Sequence, residues 1–240
     1  MMKVKNFIYL FLFISLFSCT KKLDTGYFTM DMPYGWSYEP GNGTDSFVGT
    51  ITTSSGTISF DYSTMGYASS LIATEQQYLT DEKNWSSSTC YFCDPDVTYV
   101  PKEKLEAETK RLMQQQAIKG ALPIKVEANI EYTKKIRVPD DKWRRYYPGA
   151  DYIADLKYKD STIYVPIRIP QSIKSHNIRL DTTQQYIIKT IWPQTATEGK
   201  TGVYIKSRTS QLNFNMVGDG LSEGDQEKAL KAFKTITLKK

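Results

Sequence analysis

The chain has 240 residues, of which 40% are hydrophobic and 24% are charged, with 31 Lys and Arg against 26 Asp and Glu. That length can bury a sizeable core, and the composition excludes a mostly disordered chain, a collagen-like chain and a protein that crosses a membrane several times. The single His excludes sites that need two, and the small positive charge gives no argument for binding nucleic acid.

The N-terminus is predicted to be a signal peptide covering residues 1–18. Lys3 and Lys5 give it a short positive segment, and an almost unbroken apolar run follows over residues 7–17. A helix over this run would span about 16 Å, roughly half of the hydrocarbon core of a bilayer. The run is therefore too short for a membrane-spanning anchor and typical of a signal-peptide core. The alternative is a buried N-terminal helix, but the run has no polar face to turn toward water.

The apolar run ends in Leu16-Phe17-Ser18-Cys19, which resembles the lipobox of bacterial lipoproteins. In that family a diacylglycerol is attached to the Cys thiol and the chain is cut before it, so the resemblance implies a lipid anchor at Cys19. An ordinary secretory cleavage nearby is the alternative. Several acyl chains, at about 0.8 kcal/mol for each buried CH₂ group, would hold the protein on a membrane permanently.

Residues 19–26 are then expected to be a lipidated tether. Neither the Asp that retains lipoproteins at an inner membrane nor the acidic run that marks surface export follows Cys19. By resemblance to lipoprotein sorting patterns, we expect the protein in the outer membrane, facing the periplasm. Its partners would be envelope molecules, and we expect neither nucleic acid nor a cofactor.

After the tether, residues 27–62 have the pattern of short antiparallel strands. Phe28, Met30 and Met32 alternate with polar residues, so one face of this strand would be buried. Gly-rich and Ser-rich turns separate the apolar segments that follow. This part of the chain is therefore predicted to be mostly strand, with one helix near residues 71–78.

The clearest predicted helix covers residues 102–119, where Leu105, Leu112 and Met113 fall on one face. Strands are predicted after it over residues 125–136, 152–158, 162–169, 186–192, 202–206 and 212–216. A last helix begins with Ser222 as its N-cap, and a short strand follows it. Strands bracketed by two or three helices predict an α+β fold, with a central antiparallel sheet flanked by helices.

Five segments in this order resemble the PsbP-like sandwich fold that occurs in small bacterial lipoproteins. They are residues 32–36, 43–51, 58–62, 200–205 and 226–238. The resemblance implies a single domain over residues 27–240, with a central antiparallel sheet and helices on both faces. Residues 80–147 have no counterpart in that fold, and we expect them to form an insertion. The fold mostly serves for binding or assembly, so the resemblance implies no catalytic activity.

Cys90 and Cys93 form a CxxC pair in a chain that is predicted to be exported. A structural disulfide that closes a tight loop is the favoured interpretation. A redox-active pair would need a cation or a helix N-terminus to lower a thiol pKa, whereas the neighbouring Asp94 and Asp96 would raise it. A zinc site made of the two thiols and these carboxylates is the other alternative, although neither a second CxxC nor a nearby His completes it.

Residues 142–147, Lys-Trp-Arg-Arg-Tyr-Tyr, form the densest cluster of cations and aromatic rings. Such a mixture can stack on sugars or bases and bind carboxylates through guanidinium groups. The cluster lies between two predicted strands and precedes Pro148-Gly149, so we expect an exposed loop. The simpler interpretation is that the rings pack on the sheet while the Arg side chains stay solvated. The candidate partner-binding residues are Trp143, Arg144, Arg145, Tyr146 and Tyr147.

No catalytic set emerges from the sequence. His176 has Ser172 and Asp181 nearby along the chain, but no Gly-x-Ser-x-Gly elbow exists and a triad forms in space rather than in sequence. Asp31, Asp61 and Asp155 alternate with apolar residues in predicted strands and could form a carboxylate pair for hydrolysis. Nothing in the sequence brings them together, so they are expected to face outward. We therefore expect no enzyme, no catalytic residues and no metal site.

The sequence thus predicts a non-enzymatic, lipid-anchored module of the cell envelope that acts on a protein partner. Tyr, Trp and Arg are the usual anchors of protein interfaces, which favours a protein partner for the cluster around Trp143. The alternative is an envelope lipoprotein that binds glycans, with Trp143, Tyr146 and Tyr147 as stacking platforms.

Overall fold

The computed structural model describes residues 20–87, 90–119 and 125–239. The expected signal peptide and the expected lipidation site, Cys19, lie outside the described residues. The strands are β1 Thr20–Asp24, β2 Phe28–Pro33, β3 Ser37–Pro40, β4 Phe47–Thr52, β5 Thr57–Ser63, β6 Val97–Val100, β7 Lys125–Ala128, β8 Thr133–Arg137, β9 Tyr152–Tyr158, β10 Ser161–Ile167, β11 His176–Thr182, β12 Tyr186–Pro193, β13 Lys200–Ser207, β14 Asn213–Asp219 and β15 Thr237–Leu238. The helices are α1 Glu75–Thr80, α2 Leu105–Lys119, α3 Asp141–Tyr146, α4 Gln171–Lys174 and α5 Glu223–Phe233.

These elements divide into two compact units. Of the described residues, unit 1 holds 20–72 and 175–239, and unit 2 holds those between 73 and 174. The insertion that the sequence predicts at residues 80–147 lies within the limits of unit 2. The expectation of one domain over residues 27–240 stays a prediction.

Unit 1 is built on a seven-stranded antiparallel sheet in the order β11-β12-β13-β14-β5-β4-β3. A second antiparallel sheet, β1-β2-β15, brings β2 between β1 and the C-terminal strand. Phe28, Met30 and Met32 of β2 are buried in the core of this unit, as their alternation predicts, together with Phe60 of β5 and Phe214 of β14. Burying each of these side chains contributes about 1.5–3 kcal/mol to folding.

A buried carboxylate fastens helix α5 to the hairpin of β4 and β5. Ser222 is the N-cap of the helix, as predicted, and its hydroxyl accepts a hydrogen bond from the backbone N–H of Asp225. The Asp225 carboxylate, in a residue that is 1% exposed, accepts hydrogen bonds from the Ser54 hydroxyl (2.8 Å) and from the backbone N–H (2.8 Å) and hydroxyl (2.7 Å) of Ser55. Burial alone would raise the pKa of Asp225, but hydrogen bonds from Ser55, Ser54 and Thr53 outweigh it and hold this pKa well below its ordinary value.

Unit 2 contains a three-stranded antiparallel sheet, β10-β9-β8, and a parallel pair, β6-β7. Ile153 and Leu156 of β9 and Ile167 of β10 are fully buried. Neighbouring parallel strands need a long crossover connection. In the pair β6-β7, helix α2 lies within that connection. On that helix Leu112 is buried, as its predicted face requires, whereas Met113 is 63% exposed, so its assignment to the buried face is wrong.

Several strand segments differ from the prediction. Thr20–Asp24, within the expected tether, is a strand that pairs along its whole length with β2. The strand predicted over 125–136 is interrupted, because β7 pairs with β6 whereas β8 pairs with β9. Residues 176–182, where the sequence predicts no strand, form β11 at an edge of the large sheet. The limits of these strands depend on which strands they pair with, and the local sequence of a segment does not identify its partner strand.

The structure confirms a mixed α and β fold with mostly antiparallel sheets and few helices. Helix α5 is the single α-helix among the described residues of unit 1. In the part of the chain that the structure describes, no helix is both long enough and apolar enough to cross a membrane.

Candidate binding surface

The candidate partner-binding residues lie mostly on helix α3, and the prediction of a loop there is wrong. Asp140 is the N-cap of the helix, and its carboxylate accepts a hydrogen bond from the backbone N–H of Trp143 at 3.0 Å. The backbone N–H of Tyr147 donates to the carbonyl of Trp143 at 2.8 Å at the C-terminal end. The Asp140-Asp141 pair before the cluster is the sequence signal that could have identified this helix.

The indole ring of Trp143 lies at the centre of the cluster. It contacts Tyr164 of β10, with ring centres 4.4 Å apart, and lies parallel to Tyr147, with ring centres 5.9 Å apart and planes at 3°. The guanidinium carbon of Arg137 lies 4.9 Å from the centre of the indole. These contacts fix Trp143 as the anchor of α3 on the sheet. The Trp143 surface is defined as Arg137, Trp143, Arg144, Arg145, Tyr146, Tyr147 and Tyr164.

Arg137 is held by a half-buried ion pair with Asp155. Its Nε lies 3.1 and 2.9 Å from the two carboxylate oxygens of Asp155 on the neighbouring strand, β9. Since Asp155 already matches its charge, Arg137 positions the indole rather than attracting a ligand. Sequence reasoning missed Arg137 and Tyr164, because strand pairing, with Tyr164 opposite Asp155, brings both of them to Trp143.

The outer part of the surface is exposed and carries hydrogen-bond donors without acidic partners. Tyr146 is 69% exposed, and the Arg144 and Arg145 side chains are also exposed. The Nε of Arg144 donates to the carbonyl of Pro139 at 3.1 Å, but neither guanidinium forms an ion pair with a described residue. A guanidinium has five N–H donors, so most of those on Arg144 and Arg145 face solvent.

The three rings named as stacking platforms are unequal. Trp143 and Tyr147 are half-buried and lie parallel to each other, so each covers part of the other. Tyr146 is the ring whose surface is mostly free. The surface can therefore offer the largely exposed phenol ring of Tyr146 and the less exposed ring of Tyr164, together with guanidinium groups and a fixed indole.

Cys90 and Cys93 lie at disulfide distance, with sulfur atoms 2.02 Å and Cα atoms 5.5 Å apart. Between them in the sequence, the Phe92 ring contacts the rings of Tyr132 and Tyr158, with centres 5.5 and 5.6 Å away. A ring packed on two others is typical of a structural loop. Whether the pair is oxidised in the cell stays a prediction.

The structure separates His176 from Asp181. Both lie on the extended strand β11, which at about 3.3 Å per residue separates their Cα atoms by about 16 Å. The Nε2 of His176 accepts a hydrogen bond from the backbone N–H of Lys200 at 3.0 Å, and the Asp181 carboxylate accepts one from the Nε of Arg179 at 2.8 Å. Both side chains thus have structural partners. Among the described residues, no group of three or more His, Cys, Asp or Glu side chains is placed to hold a metal ion.

Comparison with protein-family models, curated proteins and solved structures gave no match to this chain. The function must therefore be inferred from the chain's own residues, and the Trp143 surface is where exposed rings and unmatched cations meet.

Proposed function

We propose that this protein is a non-enzymatic, lipid-anchored module of the cell envelope that binds a protein partner through the Trp143 surface. The observation that carries the proposal is a short helix, α3, whose ring Trp143 is fixed on the sheet and which also carries two exposed groups, the Tyr146 ring and the Arg145 guanidinium, that have no acidic partner among the described residues. Aromatic and Arg side chains dominate the binding energy of protein interfaces. A ring that is already fixed loses little conformational entropy when a partner binds.

The charges of the surface favour a partner with exposed carboxylates or backbone carbonyls. Arg144 and Arg145 are unmatched, and Arg168 adds a third guanidinium, which donates to the Pro148 carbonyl at 3.2 Å just after α3. Guanidinium groups bind carboxylates through pairs of parallel hydrogen bonds. Asp140 lies at the opposite end of α3, where it caps the helix. An acidic patch on the partner would therefore meet the C-terminal end of α3.

The PsbP-like sandwich is proposed for unit 1. All five segments that resemble this fold lie in unit 1, on or beside β2, β4, β5, β13, α5 and β15. The Trp143 surface lies in unit 2, which contains the segment without a counterpart in that fold. This division supports a module whose common scaffold is unit 1 and whose individual binding residues belong to unit 2.

The proposed lipid anchor would leave little chain between the membrane and the fold. Thr20 follows Cys19 directly, and it is the first residue of β1, which pairs with β2. A lipidated Cys19 would therefore hold unit 1 at the surface of the membrane, which we propose to be the outer membrane on its periplasmic side. The Cys19→Ala variant should move the protein from the membrane fraction to the soluble fraction. Its continued sedimentation with washed membranes would contradict the anchor.

Affinity purification of the full chain from its own envelope, under native conditions, tests the binding proposal. We expect a stoichiometric protein partner with the wild type and its loss with Tyr146→Ala and with Arg145→Ala. Tyr34→Ala is the matched control, since Tyr34 is 75% exposed but lies in unit 1. The absence of any partner, or equal recovery with all variants, would contradict the proposal.

The alternative function is glycan binding through Trp143, Tyr146 and Tyr147. The exposed ring of Tyr146 is the observation that favours it. It predicts that Trp143→Ala abolishes retention on an envelope polysaccharide without unfolding the protein. Because Trp143 also anchors α3, the Tyr146→Ala variant is the cleaner test, and unchanged retention of both variants would exclude this function.

A further inference from the structure

Unit 1 contains a concave site that shares no residue with the Trp143 surface. Two cavities of about 430 and 380 Å³ adjoin each other and share Tyr62 and Thr64 in their walls. Each volume lies within the range of about 300–1,000 Å³ that small-molecule sites occupy. Together they are called the tyrosine groove. Its rings and amides are Tyr27, Asn42, Phe47, Tyr62, Gln185 and Tyr186.

Aromatic rings line the tyrosine groove. Tyr62 is buried, and its hydroxyl donates a hydrogen bond to the carbonyl of Lys239 at 2.7 Å, which fixes the ring. Tyr27 stacks on Phe47 with ring centres 4.3 Å apart, yet it remains 46% exposed and so presents ring surface to the groove. Burial, and then the neighbouring phenols of Tyr186 and Tyr27, raise the pKa of Tyr62, as expected where three phenols converge.

Polar groups without partners surround these rings. The side chains of Asn42, Thr64 and Gln185 form no hydrogen bond with any described residue. They offer one hydroxyl and two amides, each able to donate and to accept. Asp45 is the one charged side chain from the described residues that lines the groove, so the groove has no cation to bind a phosphate or a carboxylate.

The rim of the groove is preformed by a tight loop over residues 41–46. The backbone N–H of Gly41 donates to the carbonyl of Val48 at 2.9 Å, which ties the loop to β4. A Cβ atom on Gly43 would lie 2.1 Å from the carbonyl oxygen of Ser46, so the turn needs glycine at this position. A rim that is already in place reduces the entropy cost of binding.

We propose that the tyrosine groove is a binding site for a neutral saccharide. The negative face of an aromatic ring attracts the polarised C–H groups of a sugar ring, and amides and hydroxyls bond the sugar hydroxyls in either direction. The single carboxylate can accept hydrogen bonds from a neutral sugar and repels an anionic one. The site is independent of the partner proposed for the Trp143 surface.

Calorimetric titration of the full chain tests this site, in a detergent without a sugar headgroup. The probes are maltohexaose, cellohexaose and chitohexaose, with hexagalacturonate as the anionic counterpart. We expect saturable binding of at least one neutral hexaose and much weaker binding of the anionic one. Tyr27→Ala should weaken binding by about tenfold or more, the factor that corresponds to about 1.4 kcal/mol.

Matched variants make the outcome specific to the groove. Gln185→Ala alters an exposed side chain without removing a packed ring, so it should weaken binding while leaving the unfolding temperature unchanged. Tyr34→Ala and Tyr146→Ala should bind the saccharide as the wild type does. Loss of saccharide binding in Tyr146→Ala would show that the sugar binds at the Trp143 surface and not in the tyrosine groove. No saturable binding of any neutral hexaose, equally tight binding of hexagalacturonate, or full binding by both Tyr27→Ala and Gln185→Ala would overturn the proposal.

Discussion

The Asp225 clamp, which is the buried Asp225 carboxylate with its donors on Ser54 and Ser55, and the Trp143 surface use charged side chains in opposite ways. In the clamp, a buried carboxylate accepts hydrogen bonds from Ser54 and Ser55 and holds α5 to a hairpin. On the Trp143 surface, the Arg145 guanidinium is exposed and has no acidic partner among the described residues. A buried charge that accepts several hydrogen bonds within the fold serves stability, whereas an exposed charge without an ion-pair partner, on a helix that a fixed ring anchors, is available to a partner.

The largest effect on stability is expected from Asp225→Ala. The substitution removes the buried carboxylate that accepts three hydrogen bonds from Ser54 and Ser55, so it should lower the free energy of unfolding by about 3 kcal/mol. Urea unfolding of the full chain measures this change. Asp24→Ala is the control, because Asp24 pairs with Lys239 in an exposed ion pair and its loss should change stability little. Equal losses in the free energy of unfolding of the two variants would show that the buried Asp225 carboxylate adds no more stability than an exposed ion pair.

The pH dependence of stability gives a second test of the stabilising role of the Asp225 carboxylate. Since the pKa of Asp225 is lower in the folded state than its unfolded value of about 3.9, the charged carboxylate stabilises the fold fully above that value and loses this effect as the pH falls. The stability advantage of the wild type over Asp225→Asn should stay constant from about pH 7 to 5 and shrink below about pH 4. A stability advantage of the wild type over Asp225→Asn that grows as the pH falls would contradict a stabilising role for the charged Asp225 carboxylate.

An intermediate effect is expected from Arg137→Ala, which removes both the ion pair with Asp155 and the contact with the Trp143 ring. The half-buried position of the pair suggests a loss of about 1 kcal/mol in the free energy of unfolding. Exchange broadening of the Trp143 indole N–H signal in NMR spectra should accompany the loss. Lys135→Ala, two residues earlier on β8, is the exposed control and should leave that signal unchanged.

The smallest effect on stability is expected from Arg145→Ala. An exposed side chain without an ion-pair partner should change the free energy of unfolding by no more than about 0.5 kcal/mol. The same variant should lose the envelope partner, which separates a binding role from a structural one. A marked loss of stability would show that Arg145 belongs to the fold, as Asp225 does.

Local patterns in the sequence predicted the parts of the fold that depend on neighbours along the chain. The alternation of Phe28, Met30 and Met32 and the cap at Ser222 are of this kind. The break within residues 125–136 depends on which strands β7 and β8 pair with, and no local signal carries that choice. Strand boundaries that depend on pairing with a distant strand therefore could not be predicted from the sequence.

The same limit applies to the candidate surface. The composition of residues 142–147 identified the exposed groups, but Arg137 and Tyr164 reach Trp143 only through the register of β8, β9 and β10. The helix around Trp143 had a local signal, the cap at Asp140, which the loop prediction overlooked. Composition thus located the surface, and strand register determined which of its residues are fixed.

Photo-crosslinking in intact cells tests the central claim most directly. A photoreactive phenylalanine derivative would replace Tyr146 or, as the control, Tyr34, which is similarly exposed in unit 1. The proposal predicts one discrete crosslinked protein from position 146, its loss when Arg145→Ala is added, and no such product from position 34. No crosslinked protein at position 146, or the same product from both positions, would contradict it.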